Sequence, residues 1–98
     1  MPGFVQQQTE DRRLSILLLL VQSSGGQCNE ALLHSALSTF GHAPSFDQVK
    51  SDLAWLAEQG LVETHSLAGL MVAAIKARGE DVAAGRAVVP GVQRPSRL

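Results

Sequence analysis

Between Leu14 and Val21 the chain is apolar at every position but Ser15. Leu14, Leu17, Leu18 and Val21 recur at helical spacing, and Ile16, Leu19 and Leu20 fill the other sides. The spacing predicts a helix over about Glu10 to Gln22, with Thr9 as its cap and Glu10 and Asp11 near its positive end. A helix apolar nearly all round asks for cover on more than one side. Two covers stand open: the later helices of the same chain, or a second copy of it. After a Ser-Gly-Gly loop the periodicity returns. Leu33, Ala36, Leu37 and Phe40 predict a second buried stripe over Glu30 to Phe40, capped by Asn29 and stopped by Gly41. Pro44 keeps that helix from running on, so His42-Ala43-Pro44 is a turn.

The third periodic stretch carries the most signals. Ser45 followed by Gln48 predicts a capping box. Phe46, Val49, Leu53 and Leu56 make one stripe, and Gly60 stands where a left-handed residue ends a helix. From Leu61 to His65 the side chains alternate. A turn at Ser66-Leu67-Ala68-Gly69 then leads into Leu70 to Ile75, a β-rich return strand. A last helix is expected over Lys76 to about Gly85, weakened by Gly79. The chain thus divides into a flexible N-terminal arm (1–8), a folded domain (9–86), and an extended basic tail (87–98) whose Pro90, Gly91 and Pro95 oppose regular structure. Val88, Val89 and Val92 lie either on the body or on a partner.

Helix, turn, helix, glycine stop and hairpin, with the run Asp52-Leu-Ala-Trp-Leu-Ala-Glu-Gln-Gly-Leu-Val62, resemble the winged helix-turn-helix proteins of the MarR, ArsR and PadR type. Small winged-helix proteins of Mu-like prophages are the most similar, over about Arg12 to Pro95. The resemblance implies a mainly α fold with a small β-hairpin, α-α-α-β-β-α. It implies a DNA-binding transcriptional regulator of phage or prophage type, working in the cytoplasm as a dimer through its first and last helices. In such proteins the outer face of the third helix enters the major groove of double-stranded DNA. Carried onto this chain, Ser45, Gln48, Lys50 and Ser51 become groove contacts, and Arg12, Arg13 and the tail arginines Arg86, Arg94 and Arg97 become phosphate contacts.

The charge distribution speaks against part of this. The formal net charge is −1. Through Ile75 the only bases are Arg12, Arg13 and Lys50, whereas Lys76 onward holds Lys76, Arg78, Arg86, Arg94 and Arg97 against Glu80 and Asp81. Asp47, Asp52 and Glu58 would sit near phosphates, and the wing tip has no base, only His65 nearby. The alternative is an adaptor whose winged helix binds protein, with Trp55 as an anchor. The other reading of Trp55 packs it on the wing or on the first helix. Cys28 is the lone cysteine, so no internal disulfide forms. With His34, His42 and His65 it shows no metal-ligand spacing, and no nucleophile, paired carboxylates or phosphate loop appears. Neither a cofactor, a metal nor an enzymatic activity is expected, and the run Ile16 to Val21 is too short to span a membrane.

Overall fold

The leucine-rich helix lies in the middle of the molecule. In a computed structural model, which describes residues 3–95, α1 runs Phe4–Gln22 and places Ile16, Leu17 and Leu20 at zero exposure. The cover comes from the same chain: Leu33, Leu37, Leu53, Leu56, Leu61, Val82 and Val89 share one core with α1. The helix begins earlier than its apolar stripe suggests. Phe4 to Gln8, expected as an arm, are helical, and Thr9 is interior to the helix, its hydroxyl donating to the Val5 carbonyl. Once burial of the leucines has nucleated the helix, each added residue gains a hydrogen bond, and glutamines accept helix readily.

A turn at Ser24–Gly26, with Gly25 and Gly26 both at positive φ, reverses the chain into β1, Gln27–Asn29. This strand, which the hydrophobic pattern did not demand, pairs antiparallel with the return strand of the hairpin. Its three residues are too few to show alternation. Asn29 then caps α2, Glu30–Ala36, its side-chain oxygen accepting from the Leu32 amide at 2.9 Å. The helix tightens to a 3₁₀ turn over Leu37–Phe40 and stops at left-handed Gly41. Leu33 and Leu37 are buried as expected, whereas Phe40 is exposed.

α3, Phe46–Glu58, begins with both hydrogen bonds of the expected capping box: Gln48 N–H to Ser45 Oγ at 3.1 Å and Ser45 N–H to Gln48 Oε1 at 3.0 Å. Its end is closed by a Leu61 N–H to Leu56 C=O bond at 3.0 Å across Gly60. Val49, Leu53 and Leu56 are fully buried, but Phe46 is outside the core and stacks on His34, ring centroids 4.0 Å apart. β2, Val62–Leu67, and β3, Leu70–Ile75, form the hairpin, so only Ala68 and Gly69 make the turn. Both have positive φ, as a two-residue reversal between twisted strands requires. The sheet order is β1-β3-β2.

α4, Ala77–Ala83, packs against α1, and Gly79 lets it close on Leu61 and Ile75 at the base of the hairpin. A Cβ there would lie 2.2 Å from the Leu61 carbonyl oxygen. The following segment is not a free tail. Val89 and Val92 are buried, and the Gln93 amide donates to the Glu10 carbonyl at 3.1 Å, which straps the segment across α1; Val88 points out. The observed order is therefore α1-β1-α2-α3-β2-β3-α4 followed by this strap.

Candidate nucleic-acid interface

α3 reaches the surface along one side only, and the caps decide which. Because the capping box fixes its start and Val49, Leu53 and Leu56 face the core, Asp47, Gln48, Lys50, Ser51, Ala54 and Glu58 lie outside. Asp52 does not. It stands three residues after Val49 and four before Leu56, within the buried stripe, and only 2% of it is exposed. A carboxylate in that position needs partners. Arg12 Nε lies 2.5 Å from one of its oxygens and Arg13 Nε 3.2 Å from the other. Arg13 also donates through Nη1 to the Gly91 carbonyl at 3.1 Å and lays its guanidinium 4.0 Å from the centre of the Trp55 ring.

This arrangement changes two expectations and decides a third. Arg12 and Arg13, expected at phosphates, are the internal counter-charges of Asp52. Asp52 is removed from the face it was thought to burden. Trp55 packs beneath Arg13 and beside Gly91, on α1 and the strap rather than the wing, and is half-buried. A purely local reading of α3 cannot supply this, since the partners lie 39 and 40 residues away. The signal available in the sequence was an acid at a core position of the stripe, which implies a base somewhere else.

The groove-facing candidates are held unequally. The Ser45 hydroxyl and the Gln48 side-chain oxygen are both engaged in the cap, while Ser51 and Ala54 stand open at mid-helix. Lys50, half exposed, has Nζ 3.6 Å from Glu30 Oε1. Glu30 is a buried residue that sequence reasoning missed. Its other oxygen accepts the Met71 amide at 2.6 Å, at the point where β1 ends and leaves that edge of β3 without a partner strand. Lys50, Glu30, Thr64, His65, Ser66 and Met71 line a groove of about 350 Å³ between α3 and the hairpin. The wing tip is apolar, with Leu67 mostly exposed.

The remaining candidates scatter. His34 Nε2 contacts the Pro44 carbonyl oxygen at 2.8 Å, and His42 Nε2 lies 2.7 Å from Asp11 Oδ2. His65 is exposed on β2, and Cys28 is half-buried on β1. Among the described residues no three His, Cys, Asp or Glu side chains come together, and no helix is long and apolar enough to cross a membrane. Arg86 pairs with Asp81 at 2.9 Å and Arg94 is exposed, whereas Arg97 lies outside the described residues.

No protein-family profile matches the chain. It is 47% identical over 87 residues to the uncharacterized protein gp26 of Escherichia phage Mu, covering 89% of this chain and 90% of that protein. The chain belongs to the gp26 family. An uncharacterized protein of Haemophilus influenzae is 40% identical over 77 residues, covering 78% of this chain and 74% of its own. Solved structures supply the fold of this gp26 relative. A MarR family transcriptional regulator from Streptomyces coelicolor superposes with a TM-score of 0.64 at 24% identity, over 74% of this chain. The chain spans about half of that regulator, 47% of its length. The protein hsRosR, solved as a complex, superposes with a TM-score of 0.66 at 17% identity, over 81% of this chain and 70% of its own. The fold is a winged helix-turn-helix, with α2 and α3 as the helix pair and β2–β3 as the wing.

Proposed function

We propose that this member of the gp26 family is a small DNA-binding transcriptional regulator of phage type, with α3 as the helix that enters the major groove. One observation carries the reading: Asp52, the acid that most opposed it, is turned inward and paired with two arginines, which leaves Lys50 half exposed beside the wing and Ser51 and Ala54 open at mid-helix. The superposition on a transcriptional regulator supports it. Lys50 is then the principal phosphate or base contact, and Arg94, exposed on the strap, is an auxiliary one. The protein acts as a dimer through α1 and α4. An apolar groove lined by Leu18, Val21, Ala83 and Ala84 between these helices supports that arrangement. Nothing in this role requires catalysis or a cofactor.

The test is fluorescence anisotropy with a mixed-sequence labelled duplex at low and at physiological salt. Binding is expected to weaken steeply with salt, and Lys50→Ala should lower the magnitude of the log–log slope by about 1. Duplex binding that ignores Lys50→Ala, or no binding at low salt, refutes the assignment. The second reading, a protein-binding adaptor, is favoured by Asp47 and Glu58 on the same face and by the exposed rings and side chains of Phe46 and Leu67. Its anchor is then Phe46, since Trp55 is already packed under Arg13.

A further inference from the structure

Arg12 is nine-tenths buried, yet only its Nε is taken by Asp52. Among the described residues no acceptor takes its two terminal nitrogens, and neither is a dry, unpaired atom. Arg12 lines a half-open cavity of about 150 Å³ between the N-terminal half of α1 and the start of α3. Gln8, Arg12, His42 and Gln48 furnish its polar walls, and the Gly41-to-Pro44 backbone closes one side. We propose that this cavity binds a single phosphate-type oxyanion.

The donors and the charges both point that way. Gln48 uses its side-chain oxygen in the cap, so its amide nitrogen remains a donor. Gln8 adds a second amide, and the Arg12 terminal nitrogens add the fork that matches an oxyanion. Two guanidinium groups share the single carboxylate of Asp52, and no carboxylate lines the cavity itself. The other nearby acid, Asp11, is held by His42. A cation would find no free carboxylate here. The volume suits a few waters or one tetrahedral anion, and is too small for a nucleobase with its sugar.

The anion has two sources, a phosphodiester of a DNA backbone or a free phosphate group on a small ligand. The first rests on the regulator reading above; the second does not. The probe is inorganic phosphate, titrated into the full chain against chloride of matched ionic strength, with the backbone amide shifts of Gly41, His42 and Gln48 followed by NMR. Saturable shifts with phosphate, absent with chloride, are expected. Replacing Arg12 endangers the fold through Asp52, so the diagnostic variant is Gln8→Glu, an exposed position that places a carboxylate at the cavity mouth. It should weaken phosphate about fivefold or more while leaving the rest of the spectrum intact. Non-saturating shifts, equal shifts with chloride, or unchanged phosphate binding in Gln8→Glu overturn the proposal. Duplex binding by the same two proteins then separates the sources. Loss of duplex affinity in Gln8→Glu, with competition by phosphate, assigns the cavity to the DNA backbone. Unchanged duplex affinity assigns it to a free ligand. Saturable phosphate binding with no duplex binding by the natural chain refutes the regulator reading and leaves the cavity standing.

Discussion

Asp52→Asn is the sharpest probe of how α3 is held. The change keeps the shape of the side chain and removes its charge. Two guanidinium groups then face an amide, one of them Arg12 with only 11% of its side chain exposed. Breaking one partner of a buried ion pair costs about 3–5 kcal/mol, because the remaining charge is left uncompensated. Arg13 is the less enclosed of the two and keeps both its bond to Gly91 and its place over Trp55, so the low end applies, about 3 kcal/mol. A domain of this size has about 5–15 kcal/mol in all. With a urea slope of about 1.5 kcal/mol per molar, the unfolding midpoint should fall by about 2 M. The assay is equilibrium urea unfolding followed by far-ultraviolet circular dichroism and by Trp55 fluorescence. A matched double variant, Arg12→Met with Asp52→Leu, removes both buried charges and should recover at least about half of the loss. A midpoint drop below about 0.5 M for Asp52→Asn, or a double variant worse than the single, would refute the reasoning.

Gly79→Ala should destabilise by about 3 kcal/mol, since its methyl group meets both the Leu61 carbonyl and Ile75; thermal unfolding should fall by more than about 10 °C. Gly91→Ala puts a side chain at φ +101° and 2.6 Å from the Trp55 ring, so the strap should loosen. A red-shifted Trp55 emission reads this directly, and an unchanged spectrum counts against the packing described. Ala68→Asn gives the hairpin a residue that accepts positive φ, and should raise the thermal midpoint by about 3 °C for a gain of about 0.5 kcal/mol.

What was legible in the sequence was local. Ser45, Gln48 and Gly60 mark the ends of α3 by chemistry acting over three to five residues, and the structure places the cap and stop there. The same holds for Asn29 and Gly41 around the second helix. The hairpin was legible through its alternation and glycine, though its turn was read two residues too long. What escaped was set by distance or brevity. β1 has three residues, and its pairing with β3 follows from the sheet rather than from its own pattern. Arg12 and Arg13 read as surface bases because their partner sits on another helix, and Gly79 read as a weakness because the neighbour it admits is the backbone of Leu61. Phe46 matched the stripe by spacing, but His34 stacks on it outside the core. Of the groove candidates, Ser45, Gln48, Lys50 and Ser51 are all exposed, with Gln48 toward α1 and Lys50 toward the hairpin, while Arg12 is buried and Arg13 half-buried.

The strap across α1 also sets an order of events. Arg13 and Gly91 are 78 residues apart, and Gln93 reaches back to Glu10. Closing so long a loop is slow compared with forming α2, α3 and the hairpin, which are near neighbours along the chain. The local elements therefore form before the strap closes over α1. Until then Arg13 has only Asp52, and the Trp55 ring is wet. The molecule is therefore finished in two stages, a helical body first and its fastening afterwards. The single tryptophan lies beneath that fastening and serves as a built-in clock for the second stage.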